Sequence, residues 1–384
     1  KIEAVRDEWK RVDGHCPFLR NKQLSAYIAA GISSDHETLT GNEALEKIRK
    51  GMYLMIREGS AAKDMENIIP YLLSKNVSLH RCMIVSDDRS PFDLITKGHI
   101  DHNIRKAVSL GLFPANAVKM CSYNVAKHFG LRGHGSIGVG KVANLVVVDD
   151  LEKFNVKMTI HRGKVVAKNG KLSVALKPWQ HKKQILNSVN VKKRFTAKDF
   201  EVKRKNPVKV IVTKDKTLVT KKIVTSLPEN NDCLTTNVKE DILKIAVIER
   251  YTGKAKHAVA FIKGFGLKKG AIASTIAHDS HNIIVVGANE NAMAKAVNHL
   301  VKTKGGLVVV DKKVLAELRL PVYGLMSLAD VKSVNAKLNA VNKAAKKLGC
   351  KLDEPFMTLS FMALPVIPEL KITDKGLVDN FKLS

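Results

Sequence analysis

The chain has 384 residues, more than one domain usually holds, so we expect two or three domains. Hydrophobic residues make up 45% of it, enough for sizeable cores, yet no apolar run approaches the ~20 residues of a membrane-spanning helix. The formal charge of +29 would suit a nucleic acid, but the lysines are spread along the chain without a nucleic-acid-binding motif. We therefore expect a solvated, lysine-rich surface, with neither nucleic acid nor membrane as partner.

The cysteines indicate a reducing compartment. They are odd in number, far apart, and never arranged as a CxxC pair: Cys16, Cys82, Cys121, Cys233 and Cys350. Free thiols of this kind predict a cytoplasmic protein rather than a disulfide-bonded or zinc-finger protein. The first residues are charged and lack the apolar core of a signal peptide. Since the first residue is not methionine, we expect the chain to begin inside a longer protein.

Short apolar segments alternate with amphipathic ones over the first 90 residues. The pattern predicts strands at 11–14, 32–35, 52–56 and 81–85, with helices at 21–30, 43–50 and 63–75. This alternation is typical of a parallel sheet in a (β/α) barrel or a doubly wound fold. Four strands are too few to close a barrel of eight.

Ionisable side chains follow these strands at the ends where α/β proteins place their chemistry. His15 follows the first strand, His36 the second, and Asp87 with Asp88 the fourth. A single histidine is commonly a turn or core residue, but two imidazoles and a carboxylate together suit Zn²⁺, Mn²⁺ or Fe²⁺. Arg57 and Glu58 follow the third strand, where they either contact a ligand or form a local ion pair.

The rest of the chain predicts a small β unit and a separate α+β domain. The β unit has strands at 144–148, 156–160 and 165–167, after helices at 100–110 and 114–129. A lysine-rich connection follows at 171–205. Beyond Pro207 the pattern predicts further strands at 208–212, 217–226, 242–250, 258–262, 282–286 and 306–311, and helices at 290–303 and 329–348.

A second polar cluster precedes the apolar run NIIVV in this later domain. It contains His278, Asp279 and His281. One interpretation is a loop that closes over the active site or adds a ligand to it. The other is a hydrogen-bonded turn between two strands. The nearby glycine-rich stretch 264–270 lacks the spacing of a phosphate-binding loop and predicts a backbone turn.

Long motifs resemble the adenine deaminase family of the metal-dependent amidohydrolase superfamily. In residues 12–170 they include VDGHCP, AYIAAGISSDHE, CMIVSDDRSP and GHIDHNIRKAVSLG. Later stretches, among them KGFGLKKGAIASTIAHDSHNIIVVG and PFMTLSFMALPVIPELKITDKGL, resemble the family's extra carboxyl-terminal domain. The likeness covers nearly the whole chain and is weakest over 171–240.

The resemblance implies an α/β architecture in four parts. Residues 1–130 would be the C-terminal half of a (β/α)8 amidohydrolase barrel, and 131–172 the return strands of a small β-sandwich. Residues 173–206 would be the lysine-rich connection, and 207–384 the C-terminal α+β domain.

The implied activity is hydrolytic deamination of adenine to hypoxanthine and ammonia in purine salvage, by a metal-activated water. The family's centre is binuclear and holds Mn²⁺ or Fe²⁺. By motif, its later ligands match His15, His36 and Asp87, and Asp87 would also move the proton. Asp87 is preferred to Asp88 because it is nearer the strand end. A homo-oligomer is left open. The residues expected to contact adenine are Asp88, Arg57, Glu58 and Glu37.

Two elements of the family pattern are absent from the sequence. They are a His-x-His pair after the first barrel strand and a bridging carboxylate from the fourth, which we expect upstream of Lys1. We therefore expect the complete protein to deaminate adenine and this stretch alone not to do so. The alternatives are an amidohydrolase of another cyclic amide or amino-heterocycle, an inactive truncated remnant, or a nucleic-acid-binding module.

Overall fold

The computed structural model describes residues 2–8, 10–60, 62–176, 183–215 and 217–379. The chain divides into two compact units, residues 1–178 and 179–384. The predicted connection at 173–206 lies partly outside the described residues. The cysteines are all free, as predicted. Within the described ranges, no helix combines the length and apolar character needed to cross a membrane.

The first unit contains a four-stranded parallel sheet whose strands follow chain order. Its strands are β1 (Asp13–Gly14), β2 (Ser34–Asp35), β3 (Tyr53–Arg57) and β4 (Cys82–Val85). The helices of this unit are α1 (Ile2–Asp7), α2 (Asn21–Ala29), α3 (Gly41–Arg49), α4 (Met65–Ser74), α5 (Pro91–Thr96), α6 (Ile100–Ser109), α7 (Pro114–Cys121) and α8 (Tyr123–His128). The predicted alternation of strands and helices is confirmed.

Apolar burial explains why these segments form strands and helices. Leu54 and Ile56 of β3 are fully buried and belong to one core cluster with Ile68 and Leu72 of α4. A strand covered on both faces has a continuous apolar run, as MYLMI does. Burial in this core therefore fixes β3 and β4 in place. The polar residues that follow the two strands then lie at the same edge of the sheet, because the strands are parallel.

Two helical segments of the first unit differ in kind from the predictions. The helix predicted at 114–129 is two helices, because Ser122 leaves helical geometry (φ −131°, ψ −78°) and its hydroxyl bonds the Val118 carbonyl at 2.6 Å. The short helix α5 was not predicted. Its start has a clear signal, since Ser90 caps the Asp93 N–H and Pro91 occupies the first turn.

A second sheet of the first unit is antiparallel and also follows chain order. The small β unit expected there is confirmed as four hairpin-connected strands, and its place in a β-sandwich stays a prediction. The strands are β5 (Leu145–Val148), β6 (Val156–His161), β7 (Lys164–Lys168) and β8 (Lys171–Leu172).

The second unit is built on an eight-stranded sheet with helices packed against it. The sheet order is β11-β10-β15-β14-β17-β16-β18-β19, with only β10 and β15 parallel. Its strands are β10 (Val208–Val212), β11 (Lys221–Thr225), β14 (Ile242–Ile248), β15 (His257–Lys263), β16 (Ala271–Ser274), β17 (Ile283–Gly287), β18 (Gly306–Val310) and β19 (Val314–Arg319).

Smaller elements complete the second unit. Outside the main sheet it has a three-stranded sheet of β9 (Val202–Lys203), β12 (Glu229–Asn230) and β13 (Cys233–Leu234), and a hairpin of β20 (Leu370–Thr373) and β21 (Gly376–Asp379). Its helices are α9 (Lys183–Leu186), α10 (Glu290–Thr303), α11 (Val331–Lys347) and α12 (Pro355–Phe361), with a 3-10 turn at Ala197–Phe200. Neither β16 nor β19 was predicted, since AIAS is short and composed of small residues, and VLAELR does not alternate cleanly.

Candidate metal centre

His15 and His36 lie side by side. Their ring centroids are 4.6 Å apart with an interplanar angle of 73°. The reason is the sheet register: Gly14 of β1 is paired with Asp35 of β2, and each histidine is the next residue. The strand pairing therefore brings together two side chains that are 21 positions apart in the chain, as expected from their places at strand ends.

Glu37 is the third member of this cluster. The potential ligand atoms of His15, His36 and Glu37 all lie within 4.8 Å of one another, the only such group among the described residues. Glu37 is 4% exposed, and its Oε1 is 3.3 Å from His15 Nδ1. Its Oε2 is buried without a hydrogen-bond partner in the described part of the chain. A buried carboxylate oxygen without a partner is costly, and a bound cation would compensate it.

Asp13 orients His36. Its Oδ2 is 2.7 Å from His36 Nδ1, while its Oδ1 accepts a 2.7 Å bond from the Ser34 hydroxyl. Burial lowers the pKa of His36, but the hydrogen bond and charge of Asp13 outweigh burial, and the charge of Asp87 adds to them, so the pKa is raised. A carboxylate on one ring nitrogen fixes the tautomer and leaves the other nitrogen for a metal. Asp13 was not among the predicted residues.

The Arg57 guanidinium lies within 4 Å of three carboxylates, those of Asp87, Glu37 and Asp64. Its guanidinium is buried and donates from Nε to Asp64 at 2.9 Å and from Nη1 to Asp87 at 3.2 Å. Nη1 is also 3.7 Å from Glu37. Burial lowers the pKa of Arg57, but Asp64 and Asp87 outweigh burial and raise it. Arg57 therefore does not form the alternative local pair with Glu58 in the described structure, since successive residues of an extended chain point to opposite faces.

The two aspartates after β4 have different surroundings. Asp87 adopts a left-handed backbone conformation (φ 55°), which aspartate tolerates better than most residues, and its side chain is 41% exposed. Asp88 lies instead beside Gly59 and Ala62, and its Oδ1 is 3.5 Å from the Ala62 amide. A Cβ on Gly59 would lie 1.8 Å from that oxygen and 2.7 Å from the Ser86 backbone carbonyl oxygen, which favours glycine there. Asp87 is thus the member of the pair that faces the Arg57 guanidinium.

Glu58 and Ser60 lie behind the strand end. Burial raises the pKa of Glu58 despite the opposing charges of Lys106 and Lys63, and its Oε2 is buried without a hydrogen-bond partner among the described residues. The Ser60 hydroxyl donates to Asp93 at 2.6 Å and accepts the Ser90 amide at 2.8 Å. Ser60 therefore secures the start of α5.

The cluster His278, Asp279 and His281 lies in the second unit, between β16 and β17. His281 Nδ1 accepts the Ala277 amide at 3.2 Å, and the His281 carbonyl accepts the buried Arg250 Nε. The His278 ring stacks on Phe361 with centroids 4.8 Å apart. The geometry is that of a hydrogen-bonded turn between strands. A role for this turn at the active site stays a prediction.

Two family models match the chain. One describes the amidohydrolase family and matches residues 1–166; the other describes the adenine deaminase C-terminal domain and matches residues 217–383. An adenine deaminase of Dehalococcoides mccartyi is 46% identical over 382 residues, which are 99% of this chain and 66% of that protein. Adenine deaminase 1 of Rhizobium meliloti is 43% identical over 381 residues, with coverage of 99% and 66%. The chain thus spans just under two thirds of the length of these curated relatives.

Among solved structures, a β-aspartyl dipeptidase from Fervidobacterium islandicum matches with 21% identity and a TM-score of 0.30. The match covers 37% of this chain and 42% of that one. A TM-score of this size carries no argument about the fold.

Proposed function

The chain belongs to the adenine deaminase family, and on that premise we propose that the complete protein hydrolyses adenine to hypoxanthine and ammonia as a step of purine salvage. The single observation that carries the proposal is the convergence of His15, His36 and Glu37 within 4.8 Å at the carboxyl ends of neighbouring strands. Their residue types suit a hydrolytic metal centre, and the 46% identical relative supplies the substrate class.

We propose that His15, His36 and Asp87 bind a divalent cation, Mn²⁺ or Fe²⁺, with Glu37 as a further ligand. The donor set of imidazole and carboxylate suits such an ion, and the unpartnered Glu37 Oε2 supports the fit. When bound, the cation would lower the pKa of a water molecule and so supply the nucleophile near neutral pH.

The remaining roles belong to side chains of this chain. Asp87, held through Oδ2 by Arg57, would take the proton of the attacking water and pass it to the amino group, which then leaves as ammonia. Glu58 is one proposed substrate contact, implied by the family resemblance, and its Oε2 is buried without a hydrogen-bond partner among the described residues. Asp88, Arg57 and Glu37 are the other proposed substrate contacts.

The same premise extends to the architecture. Parallel β1–β4 with their helices would contribute to a (β/α)8 barrel, and β5–β8 to the small β-sandwich. The second unit would be the family's carboxyl-terminal domain. Five free cysteines support a cytoplasmic location.

Ammonia release from adenine by the complete protein tests the proposal. His36→Ala should abolish turnover, because it removes an imidazole from the cluster. His80→Ala is a matched control: His80 is exposed, bonds Ser78 at 2.9 Å, and lies before β4 rather than after a strand end. It should retain the wild-type rate.

The alternatives give different results in the same assay. Turnover of a dihydropyrimidine or hydantoin in place of adenine would identify another amidohydrolase and reject the proposed substrate. Turnover of none of these compounds would indicate a remnant. The 384 residues alone, with added Mn²⁺, should release no substantial ammonia.

A further inference from the structure

A fully buried lysine lies behind the two histidines. Lys47 is on α3 and has 0% exposure. Its ammonium group donates to Glu43 at 2.7 Å, and to Asp35, Thr38 Oγ1 and the Cys16 carbonyl, each at 2.9 Å. An ammonium has only three N–H donors, so these four acceptors saturate it. We call these five residues the Lys47 network.

The network reaches both segments that carry the candidate ligands. Cys16 is the residue after His15, and Asp35 is the residue before His36. Asp35 Oδ1 accepts the Cys16 amide at 2.9 Å. Its Oδ2 accepts the Thr38 hydroxyl at 2.7 Å and the Glu37 amide at 3.3 Å. One carboxylate therefore bonds to chain segments next to His15, His36 and Glu37.

Both members of the central pair are charged. Burial lowers the pKa of Lys47, but Asp35 and the other negative groups outweigh burial and raise it. Asp35 Oδ2 lies 2.9 Å from the Lys47 ammonium group, and neither side chain is exposed. Such buried ion pairs are a poor source of stability, because desolvation offsets their attraction and apolar replacements often match them. A positional role explains this pair better than stability does.

A second lysine–glutamate pair at the C-terminal end of the same helix provides a contrast. Lys50 is 3.2 Å from Glu46, with the same four-residue spacing as Lys47 and Glu43. Its side chain is 29% exposed and bonds Asn21 and Ser25 on α2 rather than the strand ends. Only one of the two pairs is therefore both buried and bonded to the histidine segments.

We propose that the Lys47 network positions the candidate metal ligands, so that Lys47 and Asp35 fix the backbone on which His15, His36 and Glu37 converge. The proposal rests on the metal site proposed above. Lys47 is a positioning residue, since its contacts are to Asp35, Glu43, Thr38 and Cys16 rather than to the imidazoles. A strand-end site needs such support because β1 and β2 have only two residues each.

Mn²⁺ titration calorimetry on the complete protein tests the proposal. Thr38→Val removes one hydroxyl from the network without changing side-chain size, and Lys47→Met removes the cation. We expect Thr38→Val to weaken Mn²⁺ affinity by about 10-fold and Lys47→Met by about 100-fold, the range found for groups that support metal ligands. Lys50→Met should bind Mn²⁺ like the wild type.

Stability is measured separately, by unfolding each metal-free variant. A network that only stabilises the fold would lower the unfolding midpoint and leave the Mn²⁺ affinity of the folded protein unchanged, which would overturn the proposal. Thr38→Val keeps the test decisive if Lys47→Met does not fold. Excess Mn²⁺ should restore turnover in Thr38→Val, because the variant loses activity only through lower occupancy of the metal site.

Failure of the proposed function gives a different pattern. Mn²⁺ binding without adenine deamination, together with weaker binding by Thr38→Val, would reject the substrate and support the network. Absence of Mn²⁺ binding by the wild type would overturn both proposals.

Discussion

Two buried cations of the first unit pair with carboxylates, whereas two of the second unit bond backbone carbonyls. Lys47 and Arg57 of the first unit are within 4 Å of several carboxylates, namely those of Asp35, Glu43, Asp64, Asp87 and Glu37. Arg250 and Lys371 of the second unit are equally buried but bond backbone carbonyls. Among the described residues, neither Arg250 nor Lys371 forms an ion pair. The second unit also contains a buried cation with a carboxylate partner, since Lys244 pairs with Glu290 at 2.6 Å.

The partner decides the direction of the pKa shift. Burial acts to lower the pKa of Lys47 and Arg57, but carboxylates outweigh burial and raise both pKa values. Burial prevails where carbonyls are the partners, lowering the pKa of Arg250 and taking that of Lys371 to about 7. Carboxylate-rich clusters thus hold charge beside a candidate site, while carbonyl-bonded cations join segments of the fold.

The largest effect should come from removing the Arg57 guanidinium. Arg57→Met leaves Asp64 and Glu37 buried without their counter-charge, which typically costs about 3–5 kcal/mol. Urea unfolding of the chain measures the loss. Arg20→Met is the matched control: Arg20 pairs with Glu46 at 2.8 Å, but its side chain is 48% exposed. An exposed pair contributes at most about 1 kcal/mol, and equal losses in the two variants would contradict the distinction between buried and exposed pairs.

The next effect is on the pH dependence of stability in the second unit. Lys371 has a pKa of about 7 when folded and an ordinary value of 10.5. The unfolded chain therefore binds more protons between these values, and the free energy of unfolding should rise as pH increases from about 7 to 10.5. Denaturant unfolding across this range should show a rise of a few kcal/mol from this residue.

Two variants isolate the contribution of Lys371. Lys371→Met should flatten the curve over this range, since methionine does not titrate. Lys375→Met removes an exposed lysine from the same hairpin and should leave the slope as in the wild type. An unchanged slope in Lys371→Met would show that the buried amine does not carry the pH dependence.

The first unit has a similar but smaller pH effect at His128. This histidine is fully buried, with Nε2 3.2 Å from the Ser34 hydroxyl, and burial together with the charge of Arg11 lowers its pKa to about 4. The unfolded chain then binds the extra proton between pH 6.5 and about 4, so stability should fall as pH decreases through this window. Proton NMR titration of the histidine ring checks the folded value. A ring that titrates near 6.5 would refute the expectation.

Sequence reasoning located the candidate ligands but not their supports. His15 and His36 were found because parallel strand ends converge, an argument that needs only the strand positions. Lys47 was missed, although its signal exists: Glu43 and Lys47 interrupt the apolar stripe of α3 at a spacing of four. Charge on a buried helical face predicts a paired network, but its partners depend on strand pairing that local pattern does not specify.

The fold was predicted well where apolar runs are long and poorly where local chemistry decides. Buried β17 and β18 are unmistakable in sequence, as NIIVV and GLVVVD. The break at Ser122 is not, because it depends on one hydroxyl competing for a helical carbonyl. Contact of Glu37 with the substrate stays a prediction, whereas its position beside His15 was not predicted, because the sequence alone does not give that distance.

The smallest expected effect concerns the helix caps, for which we expect no difference between the two units. Thr40 caps α3 in the first unit by accepting the Glu43 amide at 3.3 Å, and Asn289 caps α10 in the second by accepting the Ala292 amide at 2.9 Å. Alanine at either position should cost about 1 kcal/mol in urea unfolding, with the longer Thr40 bond giving the smaller loss. Helix caps bond amides at the helix end, so their contribution does not depend on how a unit treats buried charge. A loss at Thr40 well above that at Asn289 would contradict this, and would show that the start of α3 is coupled to the Glu43–Lys47 pair that follows it.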